Sequence, residues 1–277
     1  LGTQSHIVIS TYQGGIPDSD RLEKKVLEDP DVLGAAPFIL SEGLLSGSGG
    51  ISGVVIRGIN PVSASKVIRL KEIITQGGFS GMNSTGVLVG SQLASRAGLT
   101  VGDAVTLISP AGPITPLGMI PKSMPFIVRG VFSTGMYEYD NSMVYISLDA
   151  AKSLFMKDEP SGIEIKVKDI YQASAIAERI MEGIGPGYWA KTWEDMNRSL
   201  FSALKLEKTV MFIILLFIIL VASFSIISTL VMLVMEKRKD IAILKSMGAT
   251  TAQILRIFMA LGMVIGLSGT LLGVALG

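Results

Sequence analysis

Few side chains in this sequence could perform acid–base or nucleophilic chemistry. The 277 residues include no cysteine, which excludes disulfides, thiol nucleophiles and zinc–thiolate sites. The single histidine, His6, stands in a strand-like alternation, which is typical of a structural or surface residue. Glu138 and Asp140 could form an acid–base pair, but no histidine, lysine or ligand set accompanies them, so we interpret them as surface or turn residues. The sequence therefore predicts no catalytic residue and no metal site.

Nucleotide and nucleic-acid chemistry are equally poorly supported. The run Gly47–Gly50 lacks the helix and lysine that follow the glycines of a phosphate-binding loop, and no Gly-Lys dipeptide occurs. The chain therefore has no visible means of hydrolysing ATP. Its net charge of +1 and the lack of a basic stripe with interleaved aromatic residues argue against a nucleic-acid partner.

A charge-free segment dominates the last quarter of the chain. The 25 residues Val210–Val234 contain 18 Val, Ile, Leu or Phe residues and no charged side chain. A helix of this length reaches about 37 Å at ~1.5 Å per residue, which is enough to cross a ~30 Å hydrocarbon core. A second apolar run, Ile257–Gly277, contains glycines at small-xxx-small spacing, typical of helices that approach closely in lipid. Both runs are predicted to be transmembrane helices.

The connector between these runs predicts the orientation. It carries five basic residues: Lys237, Arg238, Lys239, Lys245 and Arg256. Short loops rich in Lys and Arg stay in the cytoplasm, so the region before Val210 should lie on the opposite face of the membrane. Leu1 is not an initiator methionine and Gly277 stands inside an apolar run, so we interpret the chain as a fragment of a longer protein.

In the region before Val210, mixed helix and strand signals flank a stretch of mainly strand signals. The first part predicts a strand at His6–Thr11, a helix at Ser19–Leu27 and a strand at Val32–Leu40. Short strands follow up to Tyr145, with one helix, Ser91–Ala97, that Gly98 would end. Helical and strand signals then alternate again. The predicted fold class is an α+β region, in which an α/β domain receives an inserted β-rich domain, followed by transmembrane helices.

One segment departs from these patterns. Ser109–Pro125 has five prolines in 17 residues, which argues against a regular strand or helix. The segment nevertheless presents several large apolar side chains. A stiff, apolar loop suits recognition of a partner, because little conformational entropy is lost on binding. A loop folded back on its own domain is the alternative.

The connector Lys237–Thr250 predicts a short amphipathic helix. Ile241, Leu244 and Met247 fall at spacings of three, and Ile243 widens the apolar stripe. Gly248 is a natural helix stop, and Thr250 or Thr251 can cap the next helix. The apolar stripe must be shielded from water, either by the lipid headgroup layer or by a cytoplasmic protein.

The connector also carries a resemblance to a known family. The run EKRKDIAILKSMGAT (Glu236–Thr250) resembles the cytoplasmic coupling segment of ABC-transporter permeases of the MacB/FtsX type. Four further stretches are similar to the lipoprotein-releasing (LolC/LolE) branch of that superfamily: Gly58–Pro61, Gly90–Pro110, Gly130–Phe155 and Thr192–Lys208. The resemblance extends over nearly the whole chain.

The resemblance implies an architecture. Such permeases have four transmembrane helices and a large periplasmic domain between the first two, so this chain would lack the first and last helices. The implied boundaries are residues 1–43 and 148–203 for the α/β periplasmic domain, 44–147 for the inserted β-rich domain with a hook-like loop at 109–125, 204–235 for a transmembrane helix, 236–250 for the cytoplasmic coupling helix and 251–277 for a truncated transmembrane helix.

The resemblance also implies partners and a location. The multi-pass protein would lie in the bacterial inner membrane with lipid around its helices. It would extract lipoproteins and pass them to a LolA-like periplasmic carrier. A separate LolD-like ATPase subunit would bind ATP and Mg, so this chain would hold no cofactor and catalyse no reaction. A second permease subunit, identical or homologous, would complete the transporter.

Three groups of residues would perform this function. The carrier-binding hook would contain Pro113, Ile114, Pro116, Leu117, Met119, Ile120 and Pro121. The ATPase-coupling residues would be Asp240, Ile241, Ile243, Leu244, Met247 and Gly248. Ala222, Ser225 and Thr229 lie on one face of the first apolar helix, where they suit either helix packing or the cavity that receives the lipoprotein acyl chains.

Two other functions compete with lipoprotein release. A MacB-like efflux permease would move peptides or small toxins to an outer-membrane channel. An FtsX-like signalling subunit would activate a cell-wall hydrolase and transport nothing. The hook-like segment favours the carrier-binding interpretation over both.

Overall fold

The computed structural model describes residues 5–12, 14–79, 82, 84–110, 112, 114–115 and 118–276. They belong to two units, one ending at Arg198 and the other beginning at Ser199. The first unit combines strands and helices, and the second is helical.

The first unit is built on strands. In the described residues these are β1 (Ile7–Thr11), β2 (Val32–Gly47), β3 (Gly50–Ile59), β4 (Ile74–Gly77), β5 (Gly86–Gly90), β6 (Ala104–Ser109), β7 (Ile114–Thr115), β8 (Gly118–Met119), β9 (Lys122–Phe132), β10 (Met143–Ser147), β11 (Gly162–Val167) and β12 (Tyr188–Thr192). The helices are α1 (Ser19–Leu27), α2 (Pro61–Val67), α3 (Leu70–Ile73), α4 (Ser91–Ala97), α5 (Tyr137–Ser142), α6 (Leu148–Phe155), α7 (Ala173–Ile184) and α8 (Trp193–Met196). A 3-10 turn at Ile170–Gln172 precedes α7.

One continuous sheet contains all of these strands except β7 and β8. Its order is β12-β1-β11-β2-β3-β10-β5-β9-β4, and β6 pairs with both β2 and β9. Pairing therefore passes from β2 through β3, β10, β5, β9 and β6 and returns to β2. These six strands form a closed ring, which removes the exposed edges that a flat sheet would have there.

The ring depends on the two longest strands of the first unit. The first part of β2 pairs with β11, and its residues Leu44–Ser46 pair with β6. The beginning of β9 pairs with β6, and its later part pairs with β5. Alternate side chains of the ring strands are buried in one core with residues of α4 and α6. Each long strand thus joins the ring to the rest of the sheet.

A second core lies where α1 and α7 cover β1 and β11. The packed aliphatic residues are Ile7, Ile9, Leu22, Val26, Ile163, Ile165, Ile176 and Ile180. The residues from each helix recur at helical spacing, and those from each strand occupy alternate positions. The α/β pattern predicted from both ends of the region is therefore present as one packed layer.

The helix bounds follow the capping signals closely. Helices α1 and α4 have the predicted bounds, and Gly98 ends α4 with φ 61°, a conformation that glycine adopts without strain. The prediction that β2 ends near Leu40 was wrong. The strand continues through Ser41 and Glu42 because β3 pairs with it along its length, and the chain reverses only before Gly50, where φ is 107°.

The predicted boundary between residues 43 and 44 falls inside β2. The two predicted domains therefore share this strand, and the sheet runs through both. The division into an α/β domain and an inserted β-rich domain stays a prediction.

The proline-rich segment contains more regular structure than its composition suggests. Strand β9 begins at Lys122 and includes Pro125, which lies opposite Thr106 of β6. Pairing of β9 with β5 begins only at Ile127, so its first residues pair on one side. Proline is tolerated there because the missing N–H costs no ladder hydrogen bond on an unpaired side.

The second unit consists of α9 (Arg198–Glu236), α10 (Arg238–Ser246) and α11 (Thr251–Leu276). The 39 residues of α9 extend about 58 Å at ~1.5 Å per residue, so it is longer than a bilayer core requires. It begins six residues before the predicted start at 204, because no helix-breaking residue separates Arg198 from the apolar run. Both α9 and α11 are long and apolar enough to cross a membrane.

Candidate functional site

The described residues of the hook-like segment belong to a hairpin that leaves the closed ring. Strands β6 and β9 pair from Ala104 opposite Ile127 to Ser109 opposite Lys122. Beyond this ladder, β7 and β8 form a second short pair in which Ile114 lies opposite Met119. The Lys122 ammonium also donates to the Ser153 carbonyl oxygen (2.6 Å), which ties the base of the hairpin to α6. The tip is thus carried on a paired base.

The hook residues are only partly within the described part of the chain. Pro113, Pro116 and Leu117 lie outside it, as do the side chains of Ile114 and Met119. Ile120 is 52% exposed and Pro121 is also exposed. The apolar side chain of Ile120 is therefore available to a partner at this end of the hairpin.

In the second unit, the predicted coupling helix is α10. The Lys237 Nζ donates to Asp240 Oδ2 (3.3 Å) at the beginning of this helix. The chain turns at Gly248, whose φ is 94°. Helix α11 then starts with a reciprocal cap, in which the Thr250 N–H donates to Gln253 Oε1 and the Gln253 N–H donates to Thr250 Oγ1 (2.9 and 3.4 Å). These caps fix how α10 is connected to α11.

The apolar stripe of α10 is divided between two surfaces. Ile241 and Leu244 line an apolar cavity of about 250 Å³ together with side chains of α9 and α11, including Leu233 and Phe258. Met247 is 79% exposed and Ile243 is also exposed. Hence Ile243 and Met247, rather than Leu244, offer the freer apolar surface to another protein.

The predicted face of small residues on α9 is divided in a similar way. Ser225 and Thr229 line a cavity of about 80 Å³ that Gly262 and Ile265 of α11 also line. Ala222 lies instead in a shallow groove on the α9 surface. The other residues of this groove are Ile214, Phe217, Ile218, Val221 and Ser225. The structure thus brings Ser225 and Thr229 to a helix–helix contact and leaves Ala222 on an open apolar surface.

Hydroxyl groups inside α9 are satisfied by their own helix. Thr229 Oγ1 donates to the Ser225 carbonyl oxygen (2.9 Å), and Ser223 Oγ donates to the Ile219 carbonyl oxygen (2.8 Å). Such bonds lower the cost of placing a hydroxyl in lipid.

Residues that could suggest catalysis have structural roles in the first unit. The Val167 N–H donates to His6 Nδ1 (3.3 Å), and burial lowers the pKa of this imidazole, with a further contribution from Lys166. The Trp193 Nε1–H donates to the Ile170 carbonyl oxygen (2.8 Å), so Trp193 contributes to packing.

Asp140 was predicted to be a surface or turn residue, and the prediction that it lies at the surface was wrong. Asp140 is 3% exposed, whereas Glu138 is exposed as predicted. Its carboxylate accepts hydrogen bonds from Ser133 and Thr134 and thereby holds the segment between β9 and α5. Sequence reasoning missed the burial because the residue lies in a helix of six residues surrounded by polar neighbours.

Sequence reasoning also missed a cavity of about 300 Å³ in the first unit. An ion pair between Arg57 and Glu164 lies in its wall, and Ser5 Oγ donates to Glu164 Oε1 (3.2 Å). The available signal was a charged residue beside isoleucines in each of two strands: Arg57 follows Ile56, and Glu164 lies between Ile163 and Ile165. Such a charge, when buried, requires a partner.

Two family models match the chain. One, described as MacB-like periplasmic core domain, matches residues 2–182, and the other, described as FtsX-like permease C-terminal, matches residues 212–277. The boundary between these matches coincides with the passage from the first unit to the apolar helices.

Several relatives are named "Lipoprotein-releasing system transmembrane protein LolC". The protein of this name from Neisseria meningitidis serogroup B is 40% identical over 250 residues, which are 89% of this chain and 60% of the relative. That from Xylella fastidiosa (strain Temecula1) is 33% identical over 276 residues, which are 99% of this chain and 67% of the relative. The chain thus spans about three fifths to two thirds of the length of these relatives.

Two solved structures are similar to this chain at lower sequence identity. The periplasmic region of MacB from Actinobacillus actinomycetemcomitans has a TM-score of 0.46 and 14% identity, and the match covers 72% of this chain and 94% of that chain. The extracellular domain of the transporter YknZ from Gram-positive bacteria has a TM-score of 0.45 and 13% identity, and covers 68% of this chain and 100% of that chain.

With the MacB-like model matching more than half of the chain and a LolC relative matched over two thirds of its length, the chain belongs to the LolC/LolE family of ABC-transporter permeases in the MacB/FtsX superfamily and is a membrane protein with a periplasmic domain.

Proposed function

We propose that this chain is the permease subunit that releases lipoproteins from the bacterial inner membrane and transfers them to a periplasmic carrier. The names of its relatives and their similarity over 89–99% of the chain support this proposal. A LolD-like ATPase would supply the energy by binding ATP and Mg, and a second permease subunit, identical or homologous, would complete the assembly. Energy input is required because each buried CH₂ of a lipid anchor contributes ~0.8 kcal/mol to membrane retention.

The observation that favours a carrier is the hairpin that extends from the closed ring. Its base is fixed by the pairing of β6 with β2 and of β9 with β5, so the base does not have to become ordered when a partner binds. The exposed Ile120 adds an apolar contact at the tip. A LolA-like carrier whose apolar surface receives lipid chains has the chemistry that such a contact recognises.

Site-specific photo-crosslinking tests this proposal. A photoreactive amino acid at Ile120 should crosslink the carrier in cells that contain the assembled transporter. The matched control is Ile51, which is 67% exposed and belongs to β3 rather than to the hairpin. Equal crosslinking at both positions, or none at Ile120, would contradict the carrier site.

The crosslinked species also separate the two other functions. Capture of an outer-membrane channel or its adaptor at Ile120 would indicate MacB-like efflux. Capture of a cell-wall hydrolase would indicate FtsX-like signalling. Either result would replace the lipoprotein-release proposal.

A further inference from the structure

The 300 Å³ cavity lies on one face of the sheet of the first unit, and its described lining residues include none of the proposed hook residues. Val8 of β1 lies opposite both Lys191 of β12 and Glu164 of β11. Arg57 of β3 lies between Leu40 of β2 and Tyr145 of β10. Residues opposite each other in paired strands share a face, so side chains of six strands converge on this cavity.

A buried cationic group forms part of the wall. The Arg57 side chain is 12% exposed, and its guanidinium carbon lies 5.4 Å from the centroid of the Phe38 ring and 5.9 Å from that of Tyr145. It forms an ion pair with Glu164. Its Nε is nevertheless buried without a hydrogen-bond partner among the described residues. A buried donor without an acceptor is costly, so Glu164 alone does not satisfy every donor of this guanidinium.

Much of the rest of the wall consists of apolar side chains that can adapt their shape. Three methionines contribute to it, Met136, Met143 and Met196, and their flexible thioethers can fit apolar groups of different shapes. Trp189 and Lys191 also line it, and the Lys191 Nζ lies 5.0 Å from the Trp189 ring centroid. Among the described lining residues, Arg57 and Lys191 are cationic and Glu164 is anionic, and Lys191 also attracts the Asp195 carboxylate, which does not line the cavity.

The cavity is a cleft open to solvent, because lining residues such as Leu40 and Met196 are exposed. Its volume is at the lower end of the ~300–1,000 Å³ of ligand sites. An apolar wall with a few converging polar groups is the usual composition of such sites.

We propose that this cavity binds a small apolar molecule with one carboxylate, of roughly ten to fifteen non-hydrogen atoms. The apolar part contacts the methionine and aromatic side chains. The carboxylate accepts hydrogen bonds from the guanidinium of Arg57, whose planar fork suits that group. A doubly charged phosphate fits less well, because the Glu164 carboxylate beside the same guanidinium would repel it.

The experiment uses the full chain in lipid nanodiscs and 4-(4-fluorophenyl)butyrate as the probe. Fluorine NMR measures binding, and empty nanodiscs correct for partition into lipid. We expect saturable binding at least tenfold tighter than that of the matching alcohol, 4-(4-fluorophenyl)butan-1-ol, which keeps the apolar part and lacks the charge. Binding no greater than in empty nanodiscs, or equal affinity for acid and alcohol, would overturn the proposal.

Two variants locate the bound probe. The double variant Arg57→Met with Glu164→Gln removes both charges together, so no buried charge is left unpaired, and it should weaken acid binding at least tenfold. Met196→Trp should obstruct the cavity and weaken binding of both probes without changing the ion pair. Val62→Trp is the matched control, because Val62 is highly exposed and does not line the cavity.

Each variant is first compared with the parent protein by thermal unfolding. If the double variant does not fold, the acid–alcohol comparison and the Met196→Trp variant still decide the outcome. Unchanged binding in Met196→Trp would show that the probe binds elsewhere and would reject this site. None of these measurements involves the carrier or the ATPase, so failure of this proposal leaves the transport proposal untouched.

Discussion

At the scale of single residues, two carboxylates with low exposure connect elements of the first unit through hydrogen bonds. Asp140 accepts a hydrogen bond from Ser133 Oγ (3.0 Å) and two from Thr134, one from its N–H (2.7 Å) and one from its hydroxyl (2.8 Å). Asp29, beside α1, accepts two from Arg179 of α7 (2.7 and 2.9 Å). Each carboxylate fixes a connection that has little apolar packing of its own.

Replacement of Asp140 should destabilise the protein. Asp140→Ala leaves the Thr134 N–H and two hydroxyls without their acceptor, so the free energy of unfolding should fall by about 1–3 kcal/mol. Urea denaturation followed by tryptophan fluorescence measures this change. The control is Glu138→Ala, at an exposed position on the same helix, which should change the stability by less than about 0.5 kcal/mol. Equal effects of the two substitutions would contradict the role of Asp140.

The ion pair of Asp29 should make stability depend on pH. Hydrogen bonding to Arg179 lowers the pKa of the Asp29 carboxyl below its ordinary value, so the carboxylate stabilises the folded state above the unfolded pKa, near 3.9. This contribution is lost as the pH falls through the lowered pKa. The stability deficit of Arg179→Met should therefore be greatest near neutral pH and shrink below about pH 4.

Thermal unfolding over a pH series measures this deficit. Arg69→Met is the control, because Arg69 forms an exposed ion pair with Glu72 that should contribute little at any pH. A deficit that stays constant from pH 7 to pH 3 would show that Arg179 acts through packing rather than through the carboxylate.

At the scale of elements, local signals predicted helices better than strands. The bounds of α1 and α4 were predictable because caps and apolar spacing lie within a few residues. The length of β2, the ring closure by β6 and the meeting of Arg57 with Glu164 depend on partners distant in sequence. Patterns within one strand do not specify those partners, so the cavity was missed although its charged residues are plain in the sequence.

The division of the α10 stripe leads to a prediction about coupling. Met247→Asp places a charge on the exposed part of the stripe, so it should reduce co-purification of the ATPase subunit at least tenfold without unfolding the second unit. Val62→Asp, at another highly exposed apolar position, should leave co-purification unchanged. Retention of the ATPase by Met247→Asp would mean that α10 contacts lipid headgroups instead.

The groove on α9 leads to a prediction about the lipid anchor. A photoreactive residue at Ile218, which lines the groove, should capture lipoprotein more strongly than one at the neighbouring Ile219. Both isoleucines are well exposed, and only their direction around the helix differs. Equal capture at the two positions, or none at either, would count against a lipid path along this groove.

At the scale of the whole molecule, the two kinds of unit require two environments. The first buries its apolar residues in its own cores, whereas α9 and α11 expose theirs along their length. Within the second unit, five of the seven basic residues lie in the short connector around α10. This distribution was predictable from the sequence because hydrophobicity and charge are local properties of the chain.

Single-cysteine labelling tests the topology, since the chain has no cysteine of its own. In cells with a permeabilised outer membrane, Lys157→Cys should react with a membrane-impermeant maleimide. Lys239→Cys, in the connector, should react only after the inner membrane is lysed. Both lysines are exposed, so accessibility should reflect the side of the membrane alone. The opposite pattern would invert the proposed orientation.

The closed ring has a mechanical consequence for the hairpin that leaves it. A pulling force on the tip, directed along the hairpin, acts parallel to β6 and β9 and loads their ladders with β2 and β5 in shear. Several hydrogen bonds must then break together, whereas a free edge strand could be peeled away one bond at a time. The ring can thus resist a pulling force that reaches it through the hairpin.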